Sequence, residues 1–357
     1  MSLFQKLETM GHEQVVYSYD TVSGLKSIIA IHDTTLGPAL GGTRLLPYES
    51  EEEALNDVLR LSRGMTFKAA CAGLNLGGGK AVIIADPRQK SEALWRTYGR
   101  FVQSLGGRYI TAEDMNTNVN DMDLVRLETK NVVGVSKVYG GSGDPSTFTA
   151  LGIYCGMKAS VQYKMKKENL NGVKISIQGY GSVGKQLCEL LHKDGAKLFI
   201  HDMDEKKLED AKNRLGATII SENELYCGDY DVYSPSARGA TINDEHLKVL
   251  KSKVIAGCAN NQLEDENNHS KMLQEMKILY APDFVINAGG LINVANEISG
   301  YNLEKAQKDV SNIANTLLKI YEDADKRGLT TQKAALEFAQ KRVSEIRALK
   351  NLRSYKL

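Results

Sequence analysis

Residues 174–202 carry the pattern that most constrains how this chain can fold. A short apolar strand, KISIQ, runs directly into the glycine-rich turn GYGSVG, which opens an amphipathic helix, and a second strand, KLFIHD, ends at Asp202. A strand, a tight turn, a helix and a second strand form one unit of a parallel sheet wound by helices. The apolar segments DVYSPS, KVIAGCANN and ILYAPDF continue this alternation, so the sequence predicts an α/β domain with a doubly wound parallel sheet.

The glycines of this turn, Gly179, Gly181 and Gly184, have the spacing of a dinucleotide-binding loop. The first glycine makes the turn, the second lets the backbone approach a pyrophosphate, and the third lets helix and strand pack closely. The helix N-terminus then presents free amides to the phosphates. An acid at the position of Asp202 accepts hydrogen bonds from ribose hydroxyls and repels a 2′-phosphate, so we predict NAD rather than NADP as the cofactor.

A different glycine run, LGGGKAVII, lies in the first third of the chain. Residues 77–79 predict a backbone that bends sharply or lies close to another group, with Lys80 held at the edge of a sheet. Lys68 adds a second cation, and Asp114 adds a carboxylate at the end of the strand YITAED. Two cations and one anion that converge would suit a substrate with a carboxylate and an amine, such as an amino acid. The spacing leaves open that these are surface lysines and a capping aspartate.

Composition narrows the classes of partner. The 45 Lys and Arg residues nearly balance the 44 Asp and Glu residues, so the net charge predicts no attraction to nucleic acid or to an anionic membrane. No apolar run is long enough to span a bilayer, and the first residues lack the apolar core of a secretion signal. The five cysteines include no CxxC pair, and the six histidines lack ligand spacing, so we predict a cytoplasmic protein with no metal site.

Six segments occur in order along the chain: TTLGPALGGTR, GMTFKAACAGLNLGGGKAVI, YITAEDMNT, GYGSVG, AGCANNQL and YAPDFVINAGGLINVANE. Together they resemble the amino-acid dehydrogenases of the glutamate, leucine, phenylalanine and valine group, most closely its leucine branch, over nearly the whole chain. The resemblance implies reversible oxidative deamination, in which an L-amino acid, NAD and water give a 2-oxo acid, ammonia and NADH. It also implies a homo-oligomer, with the octamer expected, and domain closure during turnover.

The resemblance assigns roles to individual residues. Lys68 would pair with the substrate α-carboxylate, and Lys80 would be the base that activates the attacking water. Asp114 would exchange a proton with the substrate amine, and the glycines before Lys80 would let the backbone approach the substrate. The other substrate-binding positions implied are Leu40, Gly41, Gly42, Met65, Ala112, Asn261, Leu291 and Val294. The cofactor-binding positions are Gly179, Gly181, Ser182, Val183, Gly184, Asp202, Thr149, Ala237, Asn260 and Asn287.

The substrate side chain should be apolar. The segment GPALGG puts Leu40 where the glutamate enzymes carry a lysine, and Val294 stands where they carry a serine. A buried carboxylate without a partner costs several kcal/mol, so we expect glutamate to be rejected and leucine, isoleucine and valine to be accepted. Apolar contacts discriminate by only ~1–3 kcal/mol per methylene-sized change, so phenylalanine or tryptophan is the alternative. A non-catalytic NAD-binding regulatory protein is a further alternative.

Three positions depart from the leucine branch. Ser236 and Arg238 replace its usual cysteine and leucine, and Leu291 is bulkier than its usual valine.

The resemblance implies two domains. An N-terminal substrate and oligomerisation domain with a mixed sheet covers residues 1–140 and regains a C-terminal helix at 330–357. A Rossmann-type NAD domain covers residues 141–329, after a predicted hinge at residues 139–152.

Overall fold

The structure is a computed structural model that describes residues 2–352, and the chain divides into two compact units. Unit 1 contains Met1–Asp144, Leu291–Leu303 and Ala339–Leu357, as far as these residues are described. Unit 2 contains Pro145–Gly290 and Glu304–Phe338. The sequence had assigned residues 291–303 to the second domain. They belong to the first because Leu291 and Val294 pack in a hydrophobic cluster with Leu40 and Ala112.

Unit 1 is built on a mixed five-stranded sheet within the described residues, as predicted. Its strands are β1 (Gln14–Asp20), β2 (Leu25–Asp33), β3 (Ala39–Leu46), β4 (Gly77–Ile84) and β5 (Tyr109–Glu113). Their order is β1-β2-β4-β3-β5; β1, β2 and β4 pair antiparallel, whereas β3 pairs parallel with both β4 and β5. Its first helices are α1 (Leu3–Met10), α2 (Glu51–Cys71), α3 (Glu92–Ser104) and α4 (Val119–Arg126).

Helix α2 has an apolar stripe at helical spacing, with Leu55, Val58 and Leu59 buried. Ser50 caps it by accepting a hydrogen bond from the Glu53 amide at 3.1 Å. The Glu53 carboxylate accepts a hydrogen bond from the Glu49 amide at 2.8 Å. The cap therefore satisfies one helix amide and one amide that precedes the helix.

Unit 2 contains a six-stranded, fully parallel sheet within the described residues. Its strands are β6 (Lys174–Gln178), β7 (Lys197–His201), β8 (Thr218–Ile219), β9 (Val232–Pro235), β10 (Val254–Ile255) and β11 (Leu279–Tyr280). The order β8-β7-β6-β9-β10-β11 is the strand order 3-2-1-4-5-6 of dinucleotide-binding folds. The predicted α/β fold class is confirmed, and the strand order reverses direction between β6 and β9.

The remaining helices complete both units. In chain order they are α5 (Ser146–Met165), α6 (Ser182–Lys193), α7 (Glu205–Leu215), α8 (Glu224–Cys227), α9 (Asp244–Leu247), α10 (Glu266–Glu275), α11 (Asp283–Ile286), α12 (Gly289–Ala295), α13 (Leu303–Ser311), α14 (Ile313–Arg327) and α15 (Thr331–Leu352). Helix α5 begins at Ser146, inside the predicted hinge at residues 139–152. The second half of that predicted hinge is therefore helical. Among the described residues, no helix has the length and apolar character to cross a membrane.

The part of α15 that belongs to unit 1 holds the loop before β4. The Arg342 guanidinium donates hydrogen bonds to the carbonyl oxygens of Ala70, Gly73 and Leu74 and to the Asn75 side chain, at 2.7–3.1 Å. These carbonyls lie at the end of α2 and just after it, where a helix leaves its last carbonyls without partners. One cationic side chain therefore fixes the turn that leads into β4.

A pair of buried histidines in unit 1 makes stability depend on pH. The His12 ring lies edge-on to His32, with 4.8 Å between centroids, and its Nε2 contacts the Ser62 hydroxyl at 2.8 Å. Burial, and then the neighbouring charges of His32 and Arg63, lower the pKa of His12 from 6.5 to about 4, against the opposing Leu59 carbonyl. The folded protein therefore favours the neutral ring.

We expect the free energy of unfolding to fall by about 2 kcal/mol between pH 7 and pH 5 through His12 alone. The unfolded chain takes up this proton first, so the stabilisation is complete above pH 6.5 and is lost as the pH falls toward 4. Urea unfolding of the wild-type protein and of His12→Leu at both pH values measures the difference. An equal pH dependence in the two proteins would contradict this assignment.

Candidate active site

Lys80 and Asp114 meet on the α2 face of the unit 1 sheet. Lys80 lies in β4, and its side chain is 5% exposed; Asp114 directly follows β5. The Lys80 ammonium donates a hydrogen bond to Asp114 Oδ2, and Arg44 Nε donates to Asp114 Oδ1 at 3.0 Å. Strand β3 lies between β4 and β5, so the sheet register brings these three side chains together.

The electrostatics of this cluster favour an ionised Asp114. Burial opposes ionisation of the carboxyl, but the Lys80 and Arg44 cations outweigh that cost and hold the pKa of Asp114 well below its usual range. Arg44 is itself tied down, because its Nη1 lies 3.0 Å from Asp57 Oδ2. The site therefore presents a partly buried carboxylate between two cations.

Sequence reasoning missed Arg44. Its signal lay in the motif TTLGPALGGTR, where Arg44 comes two residues after Gly42. Only the pairing of Thr43 in β3 with Glu113 in β5 shows that Arg44 stands beside Asp114. This contact joins residues 70 positions apart, so no local pattern could have shown it.

The glycines before Lys80 lie close to other groups, which is one of the two predicted alternatives, and the structure corrects the predicted bend and the predicted edge position of Lys80. Residues 77–79 are extended strand rather than a turn, and β4 lies in the interior of the sheet, not at its edge. Their missing side chains make room for the protein itself: a Cβ on Gly78 would lie 2.2 Å from the Thr66 amide, and one on Gly79 would lie 2.6 Å from the Tyr109 ring. The close approach seen in the structure is between β4, α2 and Tyr109, and the predicted approach of this backbone to a substrate stays a prediction.

The neighbouring strand uses glycine in the same way. A Cβ on Gly41 would lie 1.7 Å from the Gly79 carbonyl oxygen, and one on Gly42 would lie 2.4 Å from the Glu113 carbonyl oxygen. These glycines allow β3 to pack tightly between the strands that carry Lys80 and Asp114. Their predicted substrate contacts stay a prediction.

Lys68 and Met65 lie on the last turns of α2, and both are partly buried. Thr66, next to Met65, lies against Gly78, two residues before Lys80. Lys68 on α2 and Lys80 on β4 therefore lie on two elements that pack against each other. The predicted role of Lys68 in binding a carboxylate stays a prediction.

The residues predicted to line an apolar pocket do form one cluster. Leu40, Ala112 and Val294 are buried together with Ile110 and Val133, and Leu291 packs against them. Leu40 is 1% exposed, which leaves no water to solvate a charged group at this position. The cluster lies within unit 1 because residues 291–303 return to that unit.

Glu113 is a second acid that the sequence analysis left without a role. It has Asn118, Asn120 and Asp144 as neighbours around a small surface cavity. Burial, and then the negative charges of Asp144 and nearby carboxylates, raise the pKa of Glu113 to about 7. Adjacent acids in the sequence therefore have pKa values shifted in opposite directions, because only Asp114 contacts cations.

The glycine turn of unit 2 has the geometry that a pyrophosphate requires. Gly179 has a φ of 101°, which favours glycine, and a Cβ there would lie 2.6 Å from the Ala237 side chain. A Cβ on Gly184 would lie 2.3 Å from the Gly179 carbonyl oxygen, so this glycine lets α6 pack against the turn. A Cβ on Gly181 would meet no heavy atom within 4 Å, so the backbone at the start of α6, including Ser182 and Val183, is open to a ligand.

Asp202 faces this turn from the end of β7. Its carboxylate accepts hydrogen bonds from the amides of Tyr180 at 2.7 Å and Asp204 at 2.9 Å. Burial opposes ionisation, but these amides and the Lys207 cation outweigh it and lower the pKa of Asp202. An ionised acid beside the glycine turn fits a ribose diol.

Two of the other predicted cofactor residues follow strands of unit 2, Ala237 after β9 and Asn260 after β10. The Asn287 side chain donates hydrogen bonds to the Cys258 carbonyl at 3.1 Å and to the Asn260 side chain at 2.8 Å. Asn261, predicted to hold substrate, has a φ of 51°, which positions its side chain through an uncommon backbone conformation. Thr149, on α5, donates a hydrogen bond at 3.1 Å to the carbonyl of Pro145, which directly precedes that helix.

Within residues 2–352, no group of three or more His, Cys, Asp or Glu side chains is arranged to hold a metal ion. The polar groups around Lys80 are suited to acid–base chemistry in unit 1, and those around the glycine turn are suited to a dinucleotide in unit 2. This combination defines a pyridine-nucleotide-dependent oxidoreductase.

Comparisons with known proteins agree with this class. The family model described as "Glu/Leu/Phe/Val dehydrogenase, dimerisation domain" matches residues 9–131, and "Glutamate/Leucine/Phenylalanine/Valine dehydrogenase" matches residues 140–202 and 197–350. A leucine dehydrogenase of Bacillus cereus is 52% identical over 99% of this chain and 96% of its own length. An L-tryptophan dehydrogenase of Nostoc punctiforme is 51% identical, over 98% of this chain and 99% of its own length. The crystal structure of L-tryptophan dehydrogenase from Nostoc punctiforme superposes with a TM-score of 0.86 at 49% identity, covering 97% of this chain and all of that one.

The chain belongs to the Glu/Leu/Phe/Val dehydrogenase family. It is an amino-acid dehydrogenase, an NAD(P)-dependent oxidoreductase that acts on CH–NH₂ groups. The predicted family is confirmed, and the alternative of a non-catalytic regulatory protein is set aside.

Proposed function

We propose that the protein catalyses the NAD-dependent, reversible oxidative deamination of leucine, isoleucine and valine to their 2-oxo acids. The observation that carries the proposal is the pairing of the buried Lys80 with the partly buried Asp114 on the same sheet as the apolar cluster around Leu40. An ion pair suited to proton transfer and an apolar side-chain site are the two parts that such a substrate requires.

The proposed roles follow from these contacts. Asp114 is ionised and can accept a proton from the substrate ammonium. Lys80 acts in its neutral form, after its ammonium proton has been released, and takes a proton from the water that attacks the imino acid. Lys68 holds the α-carboxylate, and NAD when bound supplies the acceptor for the hydride that leaves the substrate Cα. The contact between Lys80 and Asp114 gives protons a direct path between the two groups.

NAD is favoured over NADP in this proposal because of Asp202. Two backbone amides hold its carboxylate in the ionised form while lone pairs remain for a ribose diol. A 2′-phosphate at the same place would bring two anions together. The proposed contacts of Thr149, Ala237, Asn260 and Asn287 belong to the same dinucleotide site.

The buried Leu40 supports the choice of an apolar amino acid. Glutamate would place a carboxylate without a partner among Leu40, Ala112 and Val294, which costs several kcal/mol. The similarity to an L-tryptophan dehydrogenase keeps an aromatic substrate as the second candidate. Leu291 is partly buried against this cluster. The space that its side chain leaves determines whether a branched-chain or an aromatic substrate side chain fits.

A substrate panel tests the proposal. NADH absorbance is followed at alkaline pH with leucine, isoleucine, valine, phenylalanine, tryptophan and glutamate, with NADP in parallel. We expect the branched-chain substrates to exceed the aromatic ones in kcat/KM by at least about tenfold, with glutamate inert, since one methylene-sized difference is worth ~1–3 kcal/mol. Preference for tryptophan or phenylalanine would contradict the assignment of the apolar cluster to branched-chain side chains. Faster turnover with NADP would contradict the assignment of NAD as the cofactor.

We also propose a cytoplasmic homo-oligomer, with the octamer as the specific expectation. A family model described as a dimerisation domain covers residues 9–131, which supports assembly through unit 1. Analytical ultracentrifugation measures the mass directly, and a monomer at micromolar concentration would contradict the proposal.

A further inference from the structure

Arg238 and Met203 meet at the carboxyl edge of the unit 2 sheet. Arg238 follows β9, and Met203 follows β7 directly after Asp202. Arg238 Nη2 lies 3.0 Å from the Met203 sulfur. The Met203 side chain is a large apolar group that is 80% exposed, and the Arg238 side chain is 56% exposed.

The sheet topology explains why side chains from non-adjacent strands touch. Strand β6 lies between β7 and β9, and the glycine turn that follows β6 begins at Gly179. Ala237, directly before Arg238, packs against Gly179, which has no side chain to block it. Arg238 therefore extends across the glycine turn and reaches the end of β7.

The guanidinium of Arg238 is only weakly held. Its Nη1 lies 3.7 Å from a carboxylate oxygen of Glu222, and both side chains are about half exposed. An exposed ion pair of this kind contributes little free energy. Asp202, beside Met203, is already engaged by two backbone amides and by Lys207 at 3.8 Å.

Both side chains are suited to a flat aromatic ring. The planar guanidinium of arginine stacks on aromatic faces, and the flexible, polarizable methionine thioether makes favourable contacts with aromatic rings. If Asp202 binds the adenosine ribose, the base attached to that ribose lies at the end of β7, where Met203 stands. A neutral purine is therefore the group that these two residues would meet.

We propose that Arg238 and Met203 form an adenine-binding slot, in which the Arg238 guanidinium stacks on one face of the purine and the Met203 thioether contacts the other. The proposal rests on the proposed NAD site and adds the residue that determines its affinity for the adenine half. Two exposed, flexible side chains can part to admit a ring, and the contact between them closes the slot when it is empty.

Calorimetric titration of the full-length enzyme with ADP-ribose tests the proposal. We expect Arg238→Ala to weaken ADP-ribose binding about tenfold, while the affinity for nicotinamide mononucleotide, which lacks adenine, is unchanged. Arg238→Lys keeps the charge without the plane and should recover less than half of the loss in binding free energy. Arg214→Ala removes an exposed arginine that pairs with Glu189 on the same unit, and should bind ADP-ribose like the wild type.

The outcomes separate this inference from the function on which it rests. Unchanged ADP-ribose binding in Arg238→Ala would overturn the slot, and so would full recovery by lysine. A larger loss for 2′-phospho-ADP-ribose than for ADP-ribose would assign Arg238 to a phosphate instead. Failure of the wild-type enzyme to bind ADP-ribose would contradict the NAD site itself.

Discussion

Replacing Lys80 by methionine should lower kcat by about 10³-fold, because a positioned general base typically contributes ~10²–10⁴ to the rate. Methionine retains much of the apolar length of lysine but cannot carry a proton. Asp114 would keep the Arg44 cation at 3.0 Å, so its charge stays compensated and the fold should survive. Initial rates of NADH formation at saturating substrate and coenzyme measure the effect.

The chain offers a matched control for this variant. Lys90 pairs with Asp121 at 2.6 Å in the same unit, and both side chains are largely buried. Lys90→Met therefore removes a comparable ion pair away from the proposed site and should keep turnover within about twofold. If Lys80→Met retains more than a tenth of wild-type turnover, Lys80 is not the base. Unchanged ADP-ribose binding in Lys80→Met would show that the dinucleotide site is intact.

Asp114→Asn should damage both stability and turnover. The amide leaves Lys80 and Arg44 facing each other without the carboxylate that both contact. Removing one partner of a buried ion pair costs about 3–5 kcal/mol, and Asp114 is partly exposed, so we expect a loss at the low end, about 3 kcal/mol in the free energy of unfolding. Turnover should fall by about 10³-fold, because the amide cannot accept the proton of the substrate ammonium.

The double variant Lys80→Met/Asp114→Asn separates these two effects. Removing the lysine as well relieves the uncompensated charge, so part of the lost stability should return. Turnover should be no lower than in the poorer single variant, since groups that act as a unit are strongly non-additive. Urea unfolding and steady-state rates measure the two quantities. Fully additive losses in both would show that the pair does not act as a unit.

Asp121→Asn is the control for the aspartate. Asp121 is buried and caps α4 through its partner Asn118, so its loss should reduce stability. It contacts Lys90 rather than the Lys80 cluster, so turnover should stay close to wild type. A comparable loss of turnover in this variant would assign the Asp114 effect to damaged folding.

Local signals in the sequence predicted much of this protein. The turn at Gly179, Gly181 and Gly184 follows a strand and opens a helix, so its fold could be inferred from a short window. The apolar stripe of α2 could be inferred in the same way, because both features repeat over a few residues. Lys80 could be singled out because it follows a run of three glycines, and Asp114 because it ends the strand segment YITAED.

Features that depend on distant parts of the chain were missed. The contact of Arg44 with Asp114 follows from strand order, and the order β1-β2-β4-β3-β5 is not written in any single segment. The return of residues 291–303 to unit 1 depends on packing against Leu40 and Ala112. The glycines at 77–79 could be recognised as close-contact positions, but their partners Thr66 and Tyr109 could not be identified.

The hydrogen bonds from Arg342 to the loop before β4 have a consequence for biosynthesis. Residues 339–349 leave the ribosome only after the whole of unit 2, yet Arg342 fixes the loop that leads into β4 and Lys80. Domains generally fold as units during synthesis, starting from the N-terminus. Unit 1 must therefore wait, partly assembled, while unit 2 is translated, and the loop that leads to its proposed reactive lysine is fixed by a segment that emerges after unit 2.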